Sequence, residues 1–253
     1  MAAFGGMDAD VWTERVARGY DESSAYLYAA DVLGPAVDFL ASRAGPAGAL
    51  EFALGTGRVA LPLRERGVRV AGIEKSEPML RQFRAKPGSE AVPVTLGDMA
   101  TARAPGEFDL VYLVYNGITC LLSQDEQVAC FRNAALHLTP GGRFVVEVFV
   151  PELRRLPPGE TARPFHIGAH HLGVDTYDLV NQRLVSHHYT IAEGRADTFR
   201  SPHRFVWPAE LDLMAQLAGM ALRERRADWS EAPFTDSSRS HVSVWQKCPI
   251  SQG

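Results

Sequence analysis

Between residues 49 and 150 short apolar runs alternate with helical patterns, and this alternation constrains the fold more than any other feature of the chain. The runs 49–54, 68–73, 92–96, 110–114 and 143–150 have the length of strands, and helical patterns ending at Arg66, starting at Glu77 and covering 124–138 separate most of them. Strands joined by helical crossovers must lie parallel, in a sheet whose two faces are both covered. The joints agree: Gly67 follows a helical turn holding Arg64 and Arg66, and Ser76 with Pro78 reads as a helix cap followed by an early proline. Ahead of this core, residues 8–44 read as a helical cover. After Pro151 the pattern changes. Runs 172–180, 184–191 and 199–207, with turns at Asn181-Gln182 and Glu193-Gly194, predict an antiparallel insertion over 160–207. Residues 157–169, headed by Pro157-Pro158-Gly159, read as a mobile lid or connector. A helix over 209–220 and strands over 222–227 and 241–246 complete a C-terminal segment, 208–247. The expected architecture is a Rossmann-like α/β fold. It has a mostly parallel seven-stranded sheet with an antiparallel last strand.

A chain of 253 residues with 46% hydrophobic content suits one such domain, 1–253. The net charge of −4 and the absence of a long basic run argue against nucleic acid as a partner. Cys120, Cys130 and Cys248 show no metal or disulfide spacing, and no apolar run reaches the ~20 residues of a membrane helix. A cytoplasmic protein without a membrane span is expected.

The junction after the first strand, A-L-E-F-A-L-G-T-G-R-V-A over 49–60, holds the first chemical signal. Gly55 and Gly57 let the backbone approach a ligand without a Cβ in the way. Read alone, Gly55-x-Gly57-x-x-Ala60 with Glu74 ending the next strand also satisfies a dinucleotide fingerprint.

The wider pattern separates the two readings. Glu51 ahead of the glycines, Val70 to Glu74, Gly97-Asp98-Met99, Phe108-Asp109-Leu110-Val111 and Leu138-Thr139-Pro140-Gly141-Gly142 follow in one order. In that order the chain resembles the class I S-adenosylmethionine-dependent methyltransferases. It departs from their glycine motif at Ala53, which replaces the usual first glycine. The resemblance implies S-adenosylmethionine as cofactor. Glu74 would then hold the ribose hydroxyls, Asp98 the adenine amino group and Met99 the ring. Glu51 and the backbone of Ala53, Gly55, Thr56 and Gly57 would hold the methionine part, with Lys75, Met79, Gly97, Val114 and Tyr115 around them. In related small-molecule enzymes an N-terminal tyrosine reaches the cofactor's carboxylate, which singles out Tyr20 and Tyr28.

Methyl transfer is an in-line displacement in which positioning supplies much of the rate. Tyr115 and Asn116, at the end of the fourth strand, are the first candidates for the reacting center. Asn116 alone cannot make a carboxylate metal site, so no metal is expected. In the insertion, period-two alternation places Val185, His187, Tyr189 and Ile191 on one face and Leu184, Ser186, His188 and Thr190 on the other. The first face is the more apolar, so His187 is expected toward the pocket, with His188 as the other candidate. The next strand offers Phe199, His203, Phe205 and Trp207. An aromatic pocket with imidazoles suits a small, partly apolar acceptor, and the aromatic strand surface admits a homodimer as its cover. The layout is similar to bacterial enzymes that N-methylate amino sugars and other natural-product intermediates. An amine acceptor is therefore favored. Alternatives are O- or C-methylation of a small metabolite, a nicotinamide-dependent oxidoreductase and a non-catalytic cofactor-binding module.

Overall fold

The computed structural model describes residues 11–192 and 194–248. The apolar runs at the center bury both of their faces: every residue of β1 (Ala49–Phe52) and β2 (Val70–Glu74) is buried. Such strands pair only where helices cover them above and below. β1 pairs in parallel with β2 and with β4 (Phe108–Leu113), β2 with β3 (Val94–Leu96), and β4 with β5 (Leu138–Phe149). β11 (Ser240–Lys247) runs antiparallel to β5, and β10 (Met220–Arg226) antiparallel to β11. The seven-stranded order is β3-β2-β1-β4-β5-β11-β10.

One sheet face carries α2 (Ala30–Ala41), α3 (Ala60–Glu65) and α4 (Glu77–Arg84) over a core that includes Phe39, Leu63, Phe83 and Tyr112. The other carries α5 (Gln124–His137) and α6 (Pro208–Leu217), where Phe131, Phe144 and Trp245 meet edge to face or tilted. Local chemistry starts two of these helices, α4 as the sequence predicts. Ser76 accepts the Met79 N–H ahead of α4, and Ser123 and Glu126 form a reciprocal cap on α5. Among the described residues no helix is long and apolar enough to cross a membrane.

Several boundaries differ from the sequence reading, among them the run expected over 199–207, whose strand covers Arg195–Arg204 and leaves out Phe205 and Trp207; three of the differences have a visible cause. The N-terminal cover is broken into α1 (Glu14–Ser23), a 3-10 turn (Ala25–Tyr28) and α2, because Ala29 is extended at ψ 138°; its predicted start at residues 8–10 lies outside the described residues. The fifth strand begins at Leu138 rather than 143, since the Thr139–Gly142 turn is a bulge between the Phe108–Leu138 and Leu110–Arg143 pairs. Asp109 pins this bulge, accepting the Thr139 hydroxyl at 2.7 Å while its other oxygen takes the Ala47 N–H at 2.8 Å.

The third difference is in the insertion. Part of the expected lid is a strand, β6 (Ala162–Ile167), which edges a separate antiparallel sheet with β7 (His171–Asp178), β8 (Arg183–Ala192) and β9 (Arg195–Arg204). Pro164 masks this in the sequence, because a proline is tolerated in a strand only at an edge or bulge, and here the register shifts between Pro164 and His166. At the turn before β9, Glu193 lies outside the described residues, while Gly194 takes a left-handed φ of 73°.

Candidate active site

The carboxyl ends of β1 to β4 open along one edge of the sheet, where ligands of open α/β folds bind. β1 leaves the sheet through Ala53, an exposed residue at φ 51°, followed by Gly55 at 60° and Gly57 at 79°. A left-handed backbone at Ala53 explains why glycine suits that position better, and why a small side chain is accepted. Gly57 is required by packing, because a Cβ there would collide with the Phe83 ring.

Glu74 ties this loop to the neighboring strand end. Its buried carboxylate accepts the Gly55 N–H and the Ser76 N–H, each at 2.6 Å. At the end of β3, Asp98 accepts the Ala100 N–H at 2.8 Å and pairs with Lys75 at 2.9 Å. Gly97 and the buried Met99 flank it, and the Met99 carbonyl accepts from Asn133 at 2.8 Å. Met79 lies over the glycine loop, 3.6 Å from where a Gly55 Cβ would stand. Val114 and Tyr115 close the row at the end of β4.

Glu51 is placed differently from these. It is 2% exposed and sits beneath the loop, with its carboxylate accepting the Tyr112 hydroxyl at 3.0 Å. Burial pushes its pKa up to about 8, against the pull of Tyr112 and Arg58. The folded state therefore holds a proton that the unfolded chain releases near the ordinary glutamate value. The contribution of Glu51 to stability is full below that value and falls as pH rises toward 8, by up to about 1.4 kcal/mol per pH unit for one proton. Glu51→Gln, neutral and isosteric, should flatten this slope in urea titrations at pH 6 and pH 8; an unchanged slope would clear Glu51 as its source.

The N-terminal cover reaches the loop through a compact polar cluster. Asp21 accepts from Thr56 at 2.6 Å and from Tyr28 at 2.5 Å and pairs with Lys86, which also donates to the Thr56 carbonyl at 2.8 Å. A hollow of about 490 Å³ adjoins the cluster, bounded by Tyr28, Leu33, Arg58, Leu61 and Lys86 among others. Tyr20 instead packs edge to face on Trp12, 5.6 Å between ring centers. Two residues escaped the sequence reading. Tyr26 meets Tyr115 hydroxyl to hydroxyl at 2.5 Å. Arg58 lies 5.4 Å from the Tyr115 ring center, makes no ion pair among the described residues, and its charge acts on Tyr20, Tyr28, Glu51 and Glu147. The arginine directly after the glycine motif was the available signal for it.

Tyr115 and Asn116 are consecutive left-handed residues, at φ 49° and 63°. They are held from β5: Glu147 accepts the Tyr115 N–H with its carboxylate at 2.7 Å and the Asn116 N–H with its carbonyl at 3.1 Å. The Asn116 side-chain oxygen in turn accepts the Phe149 N–H at 2.8 Å. That oxygen is thus committed to the backbone, which leaves the amide nitrogen as the polar group Asn116 has to offer.

The insertion sheet corrects one expectation. His203, which pairs with Leu184 and so shares a face with Ser186 and His188, reaches Thr119 in the turn after β4, Nδ1 to Oγ1 at 2.9 Å. The face toward the turn is therefore that of His188, and His187 lies on the opposite one, its Nε2 3.0 Å from Thr176 Oγ1. Counting apolar residues does not find the face that meets this turn: on the His187 face Val185 is buried but Ile191 is exposed, and the contact is set by what packs against the sheet. His188 stacks on His171 and contacts the rings of Phe165 and Phe199. Asp175 on this face accepts the Ser186 hydroxyl at 2.7 Å, and burial raises its pKa. Burial also lowers the pKa of His188, and that of His203 to about 4.

The donor set fits a nucleoside-bearing amino acid: carboxylates end β2 and β3, and a guanidinium stands near the glycine loop. Comparisons with known proteins agree. A methyltransferase-domain family model matches residues 49–142. The CcbJ methyltransferase of Streptomyces caelestis is 37% identical, with 94% of this chain and 98% of that one covered and a TM-score of 0.83. The cypemycin N-terminal methyltransferase of a Streptomyces species is 26% identical, covering 78% of this chain and 82% of that protein. CalS10, an amino pentose methyltransferase of Micromonospora echinaspora whose structure holds S-adenosylmethionine, shares the fold. Its TM-score is 0.66 and its identity 21%, over 89% of this chain and 96% of that one.

Proposed function

The chain belongs to the class I S-adenosylmethionine-dependent methyltransferases, and we propose that its acceptor is an amine of a small natural-product or sugar intermediate. The cofactor supplies an electrophilic methyl group on a sulfonium sulfur. In this reading Glu74 holds the ribose hydroxyls, Asp98 the adenine amino group, and Arg58 with the Gly55–Gly57 backbone the amino-acid end. Tyr26 and Tyr115 close the cleft above it, and the His188 and His203 face of the insertion receives the acceptor.

The observation carrying the amine reading is that this face disfavors charge. Burial pushes His188 and His203 toward the neutral form and raises the Asp175 carboxyl on the same face, as it does that of Glu147 on β5 behind the Tyr115 turn. The same desolvation would lower the pKa of a bound ammonium and yield the free base, which attacks without further help. A hydroxyl would need a base to remove its proton, and both His203 nitrogens are already engaged, with Thr119 and with Ser201. The relatives named for an N-terminal amine and an amino pentose support the same class.

The test pairs amino sugars and small primary amines with hydroxyl analogues of the same skeleton, following methyl gain by mass spectrometry. Transfer to the amines and not to their analogues is expected. Transfer confined to hydroxyls would overturn the amine reading.

A further inference from the structure

The left-handed pair Tyr115–Asn116 is strained backbone for residues with side chains, and it persists only where surrounding structure holds it. β5 holds it from one side through Glu147 and Phe149. On the other side stands a chain of three hydrogen bonds. The buried Thr119 hydroxyl donates to the Asn116 carbonyl at 2.7 Å. Its single hydrogen is thereby spent, so its oxygen accepts from His203 Nδ1–H at 2.9 Å. His203 Nε2 lies 2.8 Å from the Ser201 hydroxyl and accepts from it in this tautomer.

We propose that His203 is a positioning residue: donating from Nδ1 to Thr119 and accepting at Nε2 from Ser201, it holds the Tyr115–Cys120 turn against the insertion sheet. The consequence is a fixed register between the two surfaces that meet the reactants. Tyr115 and Asn116 end the strand beside the cofactor cleft, while Ser201 and His203 share a face with His188 on the sheet read as the acceptor's. His203 itself moves no proton in this scheme, since neither nitrogen is available. This rests on the acceptor reading of that face, whereas the hydrogen-bond chain does not.

Asparagine and glutamine separate positioning from bulk. The Asn amide nitrogen stands where Nδ1 stands, two bonds from Cβ, whereas the Gln nitrogen stands one bond further out, where Nε2 does. Hydrogen exchange of the 115–121 segment, with S-adenosylhomocysteine bound, should be near wild type in His203→Asn. It should be about tenfold faster in His203→Gln, the effect of one lost hydrogen bond. S-adenosylhomocysteine affinity should fall less than transfer does, because Tyr115 is the one group assigned to the cofactor that lies in this turn. With an amine the wild type methylates, His203→Gln should lose about tenfold in kcat/KM and His203→Asn should recover it. Equal exchange in the two variants, or faster exchange in Gln with unchanged transfer, overturns the proposal. If the wild type methylates no amine, the amine reading fails, and the exchange comparison still decides whether His203 holds the turn.

Discussion

Glu74→Ala is expected to weaken S-adenosylmethionine binding by at least about 100-fold in calorimetric titration, with the fold retained by circular dichroism. The carboxylate accepts two backbone N–H groups at 2.6 Å, from Gly55 and Ser76, and is buried. Hydrogen bonds to a charged group contribute about 1.5–3 kcal/mol each. Losing both frees the glycine loop from β2, and losing the carboxylate removes the group assigned to the ribose. About 100-fold corresponds to 2.7 kcal/mol, less than the two bonds together. Glu74→Gln, which keeps one acceptor oxygen, should fall between. Asp98→Ala should lose less, because Asp98 accepts one backbone N–H and pairs with an exposed lysine. Unchanged affinity in both alanine variants would retire the cofactor-site assignment.

Arg204→Met should destabilize the protein by about 3–5 kcal/mol, read as a drop in the urea midpoint at constant slope. Arg204 is 5% exposed, pairs with Glu210 at 2.7 Å, and donates to Gln127 at 2.5 Å and Gln182 at 3.2 Å. It ends β9 against the starts of α5 and α6, so it anchors the insertion sheet to the core. Removing the guanidinium leaves the Glu210 carboxylate, held ionized by Gln182 and Arg204, without its cation in a poorly hydrated position. Arg204→Met with Glu210→Leu should recover much of the loss, because replacing both partners removes the stranded charge. A loss below about 1 kcal/mol in the single variant would mean that the pair behaves as a surface ion pair.

Both variants fall where reading from sequence alone diverges. Glu74 was legible because its surroundings are local: an apolar run ends, a carboxylate follows, and Ser76 with Pro78 starts a helix within four residues. The same holds for Gly55, Gly57 and Asp98. The glycine loop by itself fitted a nicotinamide dinucleotide as well; family membership closes that alternative. Arg204 was legible only as a residue near a helix start, since its partners Gln127 and Gln182 lie 77 and 22 residues away. Tyr26 and Tyr115, 89 residues apart, meet for a reason no local pattern contains.

The order of strands, the positions of the strand-end motifs and the cofactor class were determined by the sequence itself. The first two depend on burial periodicity and turn chemistry, which act within a few residues, whereas the cofactor class came with the resemblance of the ordered motifs to a family. Which face of β8 looks inward was decided only in the folded molecule. Alternation along a strand fixes two sets of side chains but not the side on which the body of the protein lies. So did the strand hidden by Pro164, the burial of Glu51 beneath the loop that it was expected to serve, and the chain from Asn116 through Thr119 to His203. Each depends on contacts between segments distant in sequence, whose geometry exists only once the two sheets have packed.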